Sequence, residues 1–138
     1  MSVLPTSRRP GRLMKRALIV DDSRAMRLIV ARALKKMGVA EILESPDGEE
    51  GLKCLRGGIP IDAVFVDWNL PFMDGLTFIR TVRANRIFDH LCIVMVTTEA
   101  ETDRVEAAFA AGADEYVMKP ISEELFRRKL DALGLRTS

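Results

Sequence analysis

Two rhythms of apolar residues alternate along this chain. Short continuous apolar runs are separated by longer stretches in which apolar positions return every three or four residues. A short unbroken run reads as a strand covered on both faces, and the longer period reads as a helix with one buried stripe. Ala17–Val20 is the first such strand, and it ends at Asp21-Asp22. Ser23 can cap the helix that follows, with Met26, Ile29, Val30, Ala33 and Met37 as its stripe and Gly38 as its stop. Glu41–Ser45 is more polar and is expected nearer a sheet edge. Asp47-Gly48-Glu49-Glu50 resembles a capping box and opens a short helix through Leu55.

Gly57-Gly58 and Pro60 then turn the chain into Ala63–Asp67, the most apolar strand, which runs straight into an acid. Asp74 can cap a helix over Gly75–Asn85 that buries Leu76, Ile79 and Val82. Cys92–Thr97 is the fourth strand. Thr102 is expected to cap the fourth helix, with Val105, Ala108 and Phe109 inward and Gly112 at its end. Glu115–Met118 is the fifth strand, and Lys119-Pro120 turns the chain. Ser122, Glu123 and Glu124 begin a last helix carrying Leu125, Phe126, Leu130 and Leu133. Acids at its start and Arg127, Arg128 and Lys129 further along suit the helix dipole. Five such alternations imply right-handed crossovers and an α/β fold: a doubly wound, five-stranded parallel sheet with five helices.

Charge divides the chain unevenly. The formal net charge of +1 hides five bases and no acid in residues 1–16, followed by 16 bases against 20 acids in the rest. A mildly acidic body argues against non-specific nucleic-acid binding. Residues 1–14 are expected to be a disordered basic tail, and residues 15–138 the domain. Met14 is a candidate start of the chain. No apolar segment follows the arginines as in a signal peptide, and no run approaches a membrane span, so no membrane insertion is expected. Cys54 and Cys92 lack metal-ligand spacing and read as reduced, packed thiols.

The candidate chemistry lies where the strands end. Parallel strands present all their carboxyl ends along one edge, where open α/β sheets bind ligands. Asp21, Asp22 and Asp67 therefore converge there, and closely spaced carboxylates need compensation. A divalent cation supplies it, and Mg²⁺ suits a few carboxylates together with waters and phosphate oxygens. Lys119 adds an ammonium and Thr97 a hydroxyl. This set fits phosphoryl transfer, which depends on positioning and on neutralising charge at the phosphoryl oxygens. One carboxylate would be the nucleophile. Asp67 is the best candidate, because the opposite assignment leaves a single acid for the metal.

Val20-Asp21-Asp22, Asp67-Trp68-Asn69-Leu70-Pro71, Met73-Asp74-Gly75, Val96-Thr97, and Tyr116 followed by Lys119-Pro120 together resemble the response-regulator receiver domain family. Within it, the chain is similar to single-domain, CheY-like regulators over about residues 15–134. That resemblance implies a flavodoxin-like sheet of order 2-1-3-4-5, which is taken from the CheY-like fold and not read from the residues. It implies Asp67 as the phosphorylated aspartate, and Mg²⁺ held by Asp21, Asp22, Asp67 and the backbone carbonyl of Asn69. It gives Thr97 and Lys119 to the phosphoryl oxygens, Tyr116 the role of switch aromatic, and Asn69 and Glu99 the tuning of phosphate lifetime. It also implies a cis Lys119-Pro120 bond.

The expected partners are a histidine kinase or phosphotransfer protein and an output protein. The output protein, in one version a flagellar motor switch, would meet the surface of the fourth helix, fifth strand and fifth helix. The expected protein is a cytoplasmic monomer in chemotaxis or motility signalling and not an enzyme on external substrates. Glu101 and Thr102 depart from the basic start of the fourth helix found in CheY-like motor binders, so a phosphorelay intermediate or phosphate sink is the alternative. A metal-dependent phosphohydrolase is a weaker one, because Asp67-Trp68-Asn69 lacks a second acid two residues on and no Gly-rich phosphate loop is present. No DNA-binding module follows Leu133, so a transcription factor is not expected. Trp68 reads as a packed aromatic and His90, the single histidine, as a loop residue.

Overall fold

A computed structural model describes residues 13–135. The elements alternate as β1 (Arg16–Val20), α1 (Arg24–Lys36), β2 (Glu41–Ser45), α2 (Gly48–Arg56), β3 (Ala63–Val66) and α3 (Gly75–Arg83). A 3₁₀ turn at Arg86–Phe88 leads to β4 (Cys92–Thr97), α4 (Thr102–Ala111), β5 (Glu115–Met118) and α5 (Glu123–Ala132). The five strands form one sheet in the order β2-β1-β3-β4-β5, and every pairing is parallel. The expected fold class and strand order are both present, with the polar strand β2 at an edge.

The period-two alternation of the strands separates two cores. Leu18, Val20, Val64, Val66, Ile93 and Met95 face α2, α3 and α4. Ala17, Ile19, Phe65, Val94, Val96 and Val117 face α1 and α5. Phe65 meets Phe126 of α5 with ring centroids 5.6 Å apart, a tilted aromatic contact that locks α5 onto the centre of the sheet. Ser23, Asp47, Asp74 and Ser122 each accept a backbone N–H from the first turn of their helices, as their side-chain chemistry predicts.

Several local expectations are corrected. α4 begins at Thr102 itself, with Glu101 in the cap position and no side-chain cap bond. Phe109, Ile29 and Leu125 are exposed, although each falls on an apolar stripe. A helical stripe is wider than the contact that a short strand can offer, so its margins stay in water. In α3 the fully buried Phe78 occupies the centre that the periodicity gives to Leu76, which is only partly covered. Met14, assigned by its sequence context to the tail, is fully buried with the α1–α5 core. The domain therefore includes it, and residues 1–12 of the expected tail lie outside the described residues.

Candidate phosphoacceptor site

Main-chain bonds carry the sheet ladder one residue past the strand ends, and this fixes the polar edge. Asp21 N–H donates to the Ser45 carbonyl, Asp67 N–H to that of Val20 at 3.0 Å, and Lys119 N–H to that of Thr97 at 2.9 Å. The three side chains thus leave rigid backbone, in register, at one end of the sheet. Beyond Asp67 the chain folds back on itself. Gly75 N–H donates to the Trp68 carbonyl at 2.8 Å, and a Cβ at Gly75 would lie 2.1 Å from the Asp67 carbonyl oxygen. Only glycine allows α3 to start that close to the acid.

One carboxylate oxygen each from Asp21, Asp22 and Asp67 lies within 4.8 Å of the others. Asp21 and Asp67 are buried, and Asp22 faces solvent. Lys119 Nζ donates to Asp21 Oδ2 at 2.9 Å and to Asp67 Oδ2 at 2.8 Å. Burial alone would lower the Lys119 pKa, but the hydrogen bonds it donates to Asp21 and Asp67, with their negative charge, outweigh it and hold the ammonium above its ordinary value. Three acids against one ammonium leave negative charge in a small volume. The remaining oxygens are hard donors, so this pocket fits Mg²⁺ by the chemistry of its ligand set.

Thr97, Asn69, Glu99 and Tyr116, the residues expected to tune lifetime or to switch, form a second layer on the β4 side. Thr97 is fully buried, and its hydroxyl accepts the Glu99 N–H at 3.4 Å. Asn69 Nδ2 lies 3.5 Å from Glu99 Oε2. Tyr116 is buried, and its hydroxyl donates to the Glu99 carbonyl at 2.6 Å. Burial, with Glu99 next in weight, pushes its phenol pKa up. Asp67, Thr97, Asn69, Glu99, Tyr116 and Lys119, scattered over 53 positions of chain, thus occupy one edge of the sheet.

Sequence reasoning missed Arg104. Its guanidinium carbon sits 4.9 Å from the centroid of the Trp68 ring, and its Nη1 lies 3.5 Å from Glu99 Oε1. Nothing in the linear pattern distinguishes Arg104 from any other arginine on a solvated helix face. Trp68 is packed, as expected, and His90 is in a loop with Nδ1 2.8 Å from the Ile87 carbonyl. The Lys119-Pro120 bond is cis.

A doubly wound parallel sheet with an acidic pocket and a part-buried lysine at its carboxyl edge defines a receiver-type α/β domain. The sequence model of response regulator receiver domains matches residues 17–131, and the chain belongs to that family. It is 36% identical to the chemotaxis protein CheY of Pseudomonas aeruginosa, in an alignment covering 88% of this chain and 97% of that protein. Among solved structures, Vibrio cholerae chemotaxis protein CheY4 superposes with a TM-score of 0.78 at 30% identity, covering 87% of this chain and 98% of that one. A Borrelia burgdorferi CheY, in a complex with CheX, BeF3 and Mg²⁺, shares the fold at 24% identity and a TM-score of 0.79, over 86% of this chain and 87% of that one. No helix among the described residues is long and apolar enough to cross a membrane.

Proposed function

We propose that this protein is a phosphoacceptor signalling domain that takes a phosphoryl group from a phosphohistidine onto Asp67. The observation that carries this is the buried Asp67 carboxylate, bonded to Lys119 at 2.8 Å and clustered with two further acids. An Asp67 oxygen attacks phosphorus in line, the P–N bond to the donor imidazole breaks, and the imidazole nitrogen keeps the electron pair and is protonated. Lys119 neutralises charge on the phosphoryl oxygens as they approach. Asp21, Asp22, Asp67 and the backbone carbonyl of Asn69 would hold Mg²⁺, which when bound supplies charge compensation for carboxylates and phosphoryl oxygens together. Thr97 offers its hydroxyl to the new oxygens, and Asn69 and Glu99 stand where a hydrolytic water would pass.

Tyr116, tied to the Glu99 carbonyl, is the residue through which the site reaches α4, β5 and α5. The output we propose is control of a partner protein at that face in chemotaxis or motility signalling, a reading supported by the chemotaxis proteins of similar sequence. The acidic start of α4 at Glu101 and Asp103 favours a second reading, a phosphorelay intermediate or phosphate sink. The phosphoryl proposal is tested by mass spectrometry after treatment with acetyl phosphate. Wild type with Mg²⁺ gains one phosphoryl group, and Asp67→Asn or wild type in excess chelator gains none. Undiminished labelling of Asp67→Asn would remove Asp67 from the role.

A further inference from the structure

We propose that Arg104 is a positioning residue that sets how long a phosphoryl group on Asp67 survives, by tying Trp68 and Glu99 into a rim on the β4 side of the pocket. The inference rests on the phosphoacceptor role proposed above. Arg104 lies in the first turn of α4, where its backbone N–H is held by the Glu101 carbonyl at 3.0 Å. From there one guanidinium reaches two loops. Its carbon stands 4.9 Å from the ring centroid of Trp68, the residue after Asp67. Its Nη1 meets Glu99, two residues after Thr97, at 3.5 Å. Glu99 in turn meets Asn69 through its carboxylate, Thr97 through its N–H and Tyr116 through its carbonyl.

A guanidinium can present its flat face to a ring and its edge to a carboxylate at the same time, which an ammonium cannot. On the opposite side of the pocket no matching cation–ring contact is present among the described residues. Asp22 there is exposed, while Trp68 on the rim side is buried. The rim therefore narrows the approach past β4, where Asn69 and Glu99 stand, and leaves the approach past β1 open.

Hydrolysis of the acyl phosphate needs a water in line with the Asp67–phosphorus bond. The water oxygen bonds to phosphorus, and the bond from phosphorus to the Asp67 oxygen breaks with its electron pair returning to the carboxylate. The water proton passes to the departing phosphate. Untying the rim widens the β4 approach for that water and frees Glu99 from its counter-charge. Loss of Arg104 then shortens the phosphate lifetime.

The experiment labels the full chain with acetyl phosphate and Mg²⁺, removes the donor, and follows loss of the phosphoryl group by mass. Arg104→Ala should dephosphorylate about fivefold faster than wild type, the effect of one stacked and paired guanidinium. Arg104→Lys, which keeps the charge but loses the flat face, should fall between the two. Trp68 is the single tryptophan, so its fluorescence gives a separate readout. Acrylamide should quench it more strongly in unphosphorylated Arg104→Ala than in wild type. A lifetime change under about twofold, no more than a lone exposed ion pair contributes, overturns the inference. A shortened lifetime with unaltered Trp68 quenching also overturns it, since the rim would not have opened. A wild type that takes no label overturns the phosphoacceptor role and this inference with it. A labelled wild type with an unchanged Arg104→Ala lifetime overturns this inference alone.

Discussion

Two largely buried ionic centres stand at opposite edges of the sheet, and they are built on different terms. At the amino edge, Arg83 donates to the Gly112 carbonyl at 3.0 Å, the Phe88 carbonyl at 2.9 Å and Asp114 Oδ2 at 3.0 Å. Asp114 Oδ2 also accepts the Ile93 N–H at 2.8 Å. Here a guanidinium pairs with a carboxylate, and main-chain groups of three further residues join the same network. At the carboxyl edge, one ammonium faces three acids. The side chains are buried to a similar degree: 10% and 6% exposed for Arg83 and Asp114, against 10% and 8% for Lys119 and Asp67. Burial alone therefore does not separate the two. The acids do: the Arg83 guanidinium pairs with Asp114, whereas at the carboxyl edge the Lys119 ammonium shares a small volume with the carboxylates of Asp21, Asp22 and Asp67.

The largest expected effect comes from breaking the amino-edge centre. Arg83→Ala removes the guanidinium from Asp114 and from two main-chain carbonyls and should cost about 3 kcal/mol, toward the lower end of what removing one partner from a buried pair costs. Urea titration at neutral pH measures it. A cost under about 1 kcal/mol, typical of exposed pairs, would place this centre among surface ion pairs and end the contrast.

The carboxyl-edge centre should respond instead to a divalent cation. Added Mg²⁺ at a hundred times its dissociation constant should raise wild-type stability by about 2.7 kcal/mol, by mass action on the folded state. Thermal melts across a Mg²⁺ series, with EDTA as reference, give the slope. A melting temperature that ignores Mg²⁺ would mean that the three acids are not a cation site.

Asp22→Asn sharpens the comparison at smaller amplitude. It removes one like charge without touching either Lys119 hydrogen bond, so in EDTA the variant should melt about 2–3 °C higher than wild type. Its gain from Mg²⁺ should shrink. A variant that melts lower in EDTA would show that Asp22 supports the fold and does not strain it.

The smallest effect is alkaline. Lys119 has its pKa raised in the folded chain, so its contribution is complete below the ordinary value of 10.5 and is lost as pH climbs through the folded value. Tyr116, also raised, stays neutral in the folded protein while the unfolded phenol ionises near 10.0, which again favours unfolding as pH rises. Stability should therefore decline from about pH 10 upward. Lys119→Met should decline less steeply over that window, and equal slopes in the two proteins would remove Lys119 from the account.

Linear sequence carried much of this architecture because its determinants are local. Strands such as Cys92–Thr97 and Glu115–Met118 are bounded as their apolar runs predict. Four helices start at side chains whose oxygens reach a backbone N–H three residues on, a contact that needs no tertiary partner. The carboxyl-edge residues were legible for a related reason. Once the strands are parallel, the residue that ends each strand and the residue after it must lie at the same edge. Asp21, Asp67, Thr97 and Lys119 follow from that alone.

Tertiary structure decided what depends on how a helix is rotated about its own axis and which loops it meets. The stripe of α4 includes Phe109, yet packing leaves it 43% exposed and turns Ala108 fully inward. The same rotation carries Arg104 over Trp68, and it has no counterpart in spacing or composition. Lys119 and Asp21 are 98 residues apart and bond at 2.9 Å. The parallel sheet brings their chain ends to one edge, but only the packed side chains choose which acids share the ammonium. Local chemistry thus set where each element begins and which residues end the strands. The pairings among those residues were left to packing, because contacts between distant segments depend on the summed shape of both cores, which no short window of sequence contains.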